Sequence, residues 1–185
     1  MKYCRLTTIL LVFAFTTGLF LAANNAGAAT AAEINRDSTK ALFKLYEQNP
    51  SAKAMAEHAK GILVFPSIIK GGFMVGGNFG EGALLKTGEK STYYNTVSVS
   101  YGLQAGLQSY GYALFFMNES AMKWLDKSDG WELGVGPTIT VMDVGKSGSF
   151  TTTTAQSDIY AFFFNQKGLM AGLGLQGTKI TRIKK

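Results

Sequence analysis

The chain has 185 residues, a net charge of +6 and a single cysteine, Cys4. This length suits one domain with a substantial hydrophobic core. Cys4 lies in the charged N-terminal leader, so cleavage of this leader is expected to leave a protein with no disulfide, no cysteine metal site and no cysteine nucleophile.

The first 28 residues have the layout of a secretory signal peptide. Lys2 and Arg5 precede a long uncharged apolar run, and Ala26-Gly27-Ala28 follows as a small-residue cleavage pattern. We predict cleavage after this pattern, which leaves residues 29–185 as one periplasmic or secreted domain. Loss of the two cations lowers the net charge from +6 to +4. The alternative is a retained membrane anchor, because the run approaches the length that spans a bilayer.

Residues 29–60 have a helical pattern. Apolar residues recur on one face of a first helix, and Asp37 or Ser38 is its predicted N-terminal cap. Asn49 ends this helix, and Pro50 fits the first turn of a second helix that ends before Gly61. Both helices carry lysines, so that they suit either a sheet or a membrane surface. We predict docking on a sheet, because their apolar faces are modest.

After Gly61 the apolar period changes from that of a helix to two. Between Asn95 and Gln108 the odd positions are apolar or aromatic, whereas the even ones are Thr, Ser, Gly or Gln. Residues 131–141 and 169–175 repeat this alternation, which is typical of strands with one buried face. A helix over Asn118–Lys127 is predicted to interrupt the strands, since a turn sequence follows it.

Glycine recurs along these strands, most densely between Lys70 and Leu85. Glycines inside strands mark bulges, bends and close backbone approach, which are the features that curve a sheet. We therefore predict an α+β fold, in which short N-terminal helices lie on a strongly curved antiparallel β-sheet or barrel-like core. Gly76, Gly77 and Gly80 are expected to shape this sheet, so that replacing Gly77 by Val destabilises it through strain or crowding.

Motifs for nucleotide binding and hydrolysis are missing from the sequence. There is no G-x-G-x-x-G, and Gly88-Glu89-Lys90-Ser91 suits a hairpin turn rather than a P-loop. The single histidine, His58, has no G-x-S-x-G serine beside it, and Asp126, Asp129 and Glu132 lack EF-hand spacing. We predict no enzymatic activity, no cofactor and no metal. Nucleic acid is not an expected partner, because the cations form no dense patch with exposed aromatics.

The stretch Ala59–Leu85 resembles the SYLF domain family of lipid-binding proteins. An alanine-lysine-glycine, an apolar run ending in proline, a lysine-glycine pair and spaced glycines follow one another in the family's order. Further landmarks continue to the end of the chain. They are Ala59-Lys60-Gly61, Pro66, Lys70-Gly71, Gly76-Gly77, Gly80, Gly82, Gly102, Gln104-Ala105-Gly106, Phe116-Met117-Asn118, Gly136-Pro137, Lys167-Gly168-Leu169, Ala171-Gly172, Leu175 and Gly177.

The resemblance implies a non-enzymatic module that binds anionic phospholipids, phosphoinositides in its eukaryotic members, some of which also bind actin. The signal peptide makes actin an unexpected partner here, and an anionic phospholipid membrane surface an expected one. The helix around Leu42, Phe43 and Tyr46 is the expected point of apolar insertion. The cations expected to contact lipid are Lys60, Lys70, Lys179, Arg182, Lys184 and Lys185.

Two other functions remain open. About 150 residues of alternating strands suffice for a small eight-stranded outer-membrane β-barrel, although the N-terminal helices and the basic C-terminal end count against it. The third hypothesis is an envelope structural protein whose partner is an unidentified protein.

Overall fold

The computed structural model describes residues 29–73, 75–101, 106–126, 130–142, 157–167 and 177–185. The predicted signal peptide, residues 1–28, and the predicted strand at 169–175 lie outside the described residues. The helices are α1 (Ala31–Gln48), α2 (Pro50–Ala56) and α3 (Glu119–Asp126). The strands are β1 (Gly61–Phe73), β2 (Val75–Leu85), β3 (Thr92–Tyr101), β4 (Gly106–Phe116), β5 (Trp131–Glu132), β6 (Ile139–Met142), β7 (Ile159–Lys167) and β8 (Lys179–Ile183).

These strands form one sheet with the order β5-β8-β3-β2-β1-β4-β7-β6. All neighbours are antiparallel except β6 and β7, which are parallel. Although β5 and β6 lie at opposite edges, only residues 133–138 connect them. The sheet therefore curls until its edges come within the ~25 Å that such a connection can span. The predicted α+β fold, with a strongly curved and mainly antiparallel sheet and helices on its N-terminal side, is confirmed.

The inner face of the curled sheet holds the larger core cluster. Trp131 and Ile180 from one edge of the sheet join Ile159 from the other edge in this cluster. α3 closes the interior with Met122 and Leu125, which are buried in the same cluster. Burial of each such side chain contributes about 1.5–3 kcal/mol, so the curl is stabilised by the core that it encloses.

α1 and α2 cover part of the outer face. Leu45 of α1 and Met55 of α2 are fully buried against Val64 and Phe115, which lie on β1 and β4. The predicted docking of the N-terminal helices on the sheet is confirmed. The sheet is thus covered on both faces along the first half of β1.

The start of α1 differs from the sequence prediction. Thr30 caps the helix: its hydroxyl accepts from the Glu33 N–H at 3.3 Å, and the Glu33 carboxylate accepts from the Thr30 N–H at 2.8 Å. The expectation that Asp37 or Ser38 is the cap is wrong, because both lie inside α1. Ser38 is buried and donates to the Val64 carbonyl at 3.2 Å.

Other local predictions are confirmed. Asn49 ends α1, and its side chain accepts from the Ala52 N–H at 3.1 Å, with Pro50 in the first turn of α2. The predicted helix after Asn118 is α3. Gly88 lies in the β2–β3 turn with φ 77°, a conformation that glycine adopts without strain. The alternation at 131–141, in contrast, forms two separate short strands, β5 and β6.

A bulge at Pro66 bends the sheet. β1 has one more residue here than either neighbouring strand, and a bulge is where a central strand tolerates proline. Glycines lie opposite on both neighbours: a Cβ on Gly82 would collide with the Val64 carbonyl, and one on Gly111 would lie 2.8 Å from the Pro66 carbonyl. The β4–β7 register shifts beside Gly111, close to Asn165 with φ 53°. The bend therefore follows one line across β2, β1, β4 and β7.

The glycines that were expected to shape the sheet differ from one another. A Cβ on Gly80 would lie 2.7 Å from Ile68 Cγ1 and 2.8 Å from the Ser67 carbonyl, so this position requires glycine. A Cβ on Gly77 would meet only the Ser98 carbonyl, at 3.9 Å. A Cβ therefore has room at Gly77, so this position does not itself require glycine. The destabilisation expected for Gly77→Val and the expectation for Gly76 stay predictions.

Candidate functional site

β8 and the residues after it carry most of the cations predicted to contact lipid. Lys179, Arg182 and Lys184 are exposed, and within the described part of the chain none of them forms an ion pair. Since alternate residues of a strand point to opposite faces, Lys179 and Arg182 lie on different faces of the sheet. We call these three residues the basic margin, because they lie on β8 or directly after it, near the edge of the sheet.

Lys185 is engaged differently from its neighbour. Its ammonium group donates to the Glu81 carboxylate at 2.8 Å and to the Ala29 carbonyl at 2.9 Å. The Lys185 side chain is only 12% exposed. These contacts join the segment after β8 to β2 and to the start of α1, so that Lys185 has a structural role in this fold.

Lys60 and Lys70 lie apart from the basic margin and from each other. Lys60 is exposed just before β1, where its N–H donates to the Phe116 carbonyl at 2.7 Å. Lys70 is about 30 Å further along the same strand, is half-buried and pairs with Asn78 and Gln108. It is two residues after Ile68 of the inner core and therefore lies on the same, inner face of β1. The six predicted cations therefore do not form one site.

Exposed apolar side chains lie side by side on the outer face. Ile69 pairs with Phe79, and Phe79 pairs with Val97, on three adjacent strands. Lys179 pairs with Val97 and ends this row at β8. Ile69, Phe79 and Val97 are 57%, 51% and 43% exposed, and Val99, on the same face of β3, is 62% exposed. We call Ile69, Phe79, Val97 and Val99 the outer apolar patch.

The outer apolar patch borders the start of α1. Ile69 and Phe79 line a groove of about 240 Å³ together with Ile34 of α1. The acidic groups of this groove, Asp37 and Glu81, are each paired with a cation. α1 thus covers the outer face only as far as this groove and leaves the patch uncovered.

Sequence reasoning placed the buried face of β3 on the wrong side. The alternation predicts that Val97 and Val99 are buried, whereas both are exposed. The inner residue is Thr96, which is buried and shares a 2.8 Å hydrogen bond with the Tyr112 hydroxyl. Burial raises the pKa of Tyr112, so this hydroxyl stays protonated and can act as the donor. Tyr94 could have indicated the buried face, because it is a large aromatic residue two positions from Thr96 and so lies on the same face of β3.

The helix that was expected to insert into lipid offers one apolar side chain. Leu42 is buried in the outer core, and Tyr46 packs against the same cluster. Burial raises the pKa of Tyr46 to about 12. Phe43 is exposed, and its ring meets that of Tyr46 edge to face, with the centroids 6.2 Å apart. The larger exposed apolar surface is therefore the sheet face rather than this helix.

The described residues bring together no further chemical site. His58 is exposed in the turn after α2, and no three His, Cys, Asp or Glu side chains of the described ranges are placed to hold a metal ion. Among the helices described, none has the length and apolar character needed to cross a membrane.

A curled sheet with an uncovered apolar patch and a basic margin has the features of a binding domain. Residues 97–185 match the family model Ysc84, described as Las17-binding protein actin regulator. This family model is that of the SYLF domain, so the match agrees with the resemblance noted in the sequence. No curated protein matches the chain. The family match begins in β3, so the glycine-rich stretch Ala59–Leu85 lies before it.

Proposed function

We propose that the protein binds anionic phospholipid at a membrane surface through the basic margin. The observation that carries this proposal is the exposure of Lys179, Arg182 and Lys184, none of which is ion-paired within the described residues. Each cation near an anionic surface contributes on the order of 1 kcal/mol. The match of residues 97–185 to a lipid-binding and actin-regulator family supports the same function.

Three cations alone give weak binding. About 3 kcal/mol corresponds to a dissociation constant above 1 mM, and salt screens it further. A useful affinity therefore requires an apolar contribution from the same molecule. The proposal includes a periplasmic or secreted location, for which the layout of residues 1–28 is the support.

Vesicle co-sedimentation tests the proposal. The purified protein is expected to sediment with vesicles of phosphatidylcholine and phosphatidylglycerol, and to stay in the supernatant with phosphatidylcholine alone. Replacing Lys179, Arg182 and Lys184 together by Gln is expected to remove most of this preference, because the margin then carries no charge.

A charge-matched variant serves as the control. Lys40, Lys53 and Lys123 are exposed lysines on the three helices, and replacing them together by Gln is expected to leave the preference unchanged. Equal recovery of the unmodified protein with both vesicle types, or with neither, would contradict the proposal and favour a protein partner.

A further inference from the structure

We infer that the outer apolar patch is the surface that enters the bilayer, with Lys179 at its border on a lipid phosphate. This inference rests on the proposed function and names the face of the sheet that performs it. The occupant of the patch is then the acyl region just below the headgroups of an anionic membrane.

The first argument is the clustering of exposed apolar side chains. Isolated exposed apolar residues are normal at protein surfaces, whereas a contiguous patch marks an interaction site. Ile69, Phe79 and Val97 are direct cross-strand partners, so their strands are only about 4.8 Å apart. Together they form one continuous apolar strip, which Val99 widens.

The second argument is the charge at the end of the strip. Lys179 is the cross-strand partner of Val97 and is exposed. The aliphatic stem of Lys179 packs beside Gly130, and a lysine at the border of an apolar surface can extend its ammonium group to the headgroups. Of the nearby acids, Glu81 is neutralised by Lys185, and Glu132 is the partner of Lys179 on its other side. The strip itself therefore carries no negative charge.

The third argument is shape. The inner face encloses the core and α3, so the patch lies on the convex side of the curl. A convex face suits contact with a flat bilayer, and the groove at its border with α1 is lined by only two of the four patch residues, Ile69 and Phe79. The face is also continuous with Lys179 of the basic margin, so one orientation of the molecule engages the patch and this cation together.

Matched fluorescent reporters test this orientation. In a full-length Cys4→Ser background, Val99→Cys and Val141→Cys each carry one environment-sensitive dye; both valines are exposed on strands, but Val141 lies on the opposite edge of the sheet. With phosphatidylcholine–phosphatidylglycerol vesicles, the dye at 99 is expected to shift to the blue and to be quenched by brominated lipid. The dye at 141 is expected to keep its emission in water.

A pair of isosteric double variants measures the contribution of the patch. Val97→Thr with Val99→Thr is expected to lower the vesicle partition coefficient by about three- to tenfold, because two methyl groups that enter the bilayer become hydroxyls. Val135→Thr with Val141→Thr makes the same chemical change at exposed positions elsewhere and is expected to have no effect. Circular dichroism checks that both variants remain folded.

The outcomes separate this inference from the proposed function. If the protein binds anionic vesicles and the basic margin is required, but the dye at 99 stays in water, the patch is not the inserting surface. If the dye at 99 shifts to the blue on concentration without vesicles, the occupant is a second copy of the chain and the inference is overturned. If the unmodified protein does not bind vesicles at all, both proposals fail.

Discussion

Gly82 and Gly111 face the bulge at Pro66 from the two strands that flank it. The extra residue in β1 brings backbone carbonyls close to both neighbours, so a side chain at either glycine would overlap main-chain atoms as well as a phenylalanine ring. Backbone of a central strand has no free space into which it can withdraw. The requirement for glycine here is therefore steric, and it holds whatever the protein binds.

Replacing Gly82 by Ala tests this requirement. The added Cβ would overlap the Val64 carbonyl, and we expect the free energy of unfolding to fall by about 1–3 kcal/mol. Gly77→Ala is the control, since its Cβ meets only ordinary contact, and it should change stability by less than about 0.5 kcal/mol. Urea denaturation measures both. Equal losses at the two positions would show that the bulge is not the cause.

At the scale of elements, Asp158 fastens three parts of the chain at the end where the sheet edges approach. Its carboxylate accepts from the Thr138 N–H at 2.9 Å, the Thr138 hydroxyl at 2.8 Å and the Asn118 amide at 2.7 Å. These bonds, that of the Thr138 N–H first, lower the pKa of Asp158. The β5–β6 connection, the start of α3 and β7 are thereby held together.

We expect Asp158→Asn to destabilise the fold by about 1–2 kcal/mol at neutral pH, since it removes charge-assisted hydrogen bonds. The folded pKa is lowered, so the contribution of Asp158 is complete above the unfolded value of about 3.9 and disappears as the pH falls through the folded value. The stability difference between the two proteins should therefore shrink below about pH 4. Thermal unfolding from pH 7 to pH 2.5 measures it. A difference that stays constant over this range would contradict the assignment.

Several features follow from local sequence, and others depend on partners distant in the chain. Pro50 and the turn at Gly88 are specified by their own backbone chemistry, so they were predicted correctly. The face that β3 buries is decided by β2 and β8, and alternation alone could not show that Thr96 would be inside. The proposed binding residues depend on distant partners too. The sequence identifies the cations, but only the strand register shows that Lys70 and Lys179 lie on different faces of the sheet.

At the scale of the whole molecule, Lys185 connects regions that are far apart in the sequence. The ammonium group of this residue bridges Glu81 on β2 and the carbonyl of Ala29 before α1. Sequence reasoning grouped Lys185 with Lys184, because adjacent lysines are indistinguishable without the fold. In the structure Lys185 stabilises the fold, whereas Lys184 is exposed and forms no ion pair with the described residues.

The two adjacent lysines provide a matched comparison. Lys185→Ala is expected to lower the free energy of unfolding by about 1–2 kcal/mol, because it leaves the largely buried Glu81 carboxylate without its partner. It should leave the preference for anionic vesicles intact. Lys184→Ala is expected to do the opposite, with unchanged stability and a weaker preference. Differential scanning calorimetry and co-sedimentation of both variants decide between these roles, and a loss of lipid preference only in Lys185→Ala would reverse them.

The bend at Pro66 has a consequence for how this protein can change over time. Before the bend, β1 is packed on both sides, as at Phe65; beyond it, Ile69 and its cross-strand partners are open on the outer side. Substitutions beyond the bend therefore alter the outer surface while the packed half continues to specify the fold. Related proteins with the same bend can consequently bind different partners and keep one architecture. Sequence differences among them should therefore concentrate on the outer face beyond Pro66.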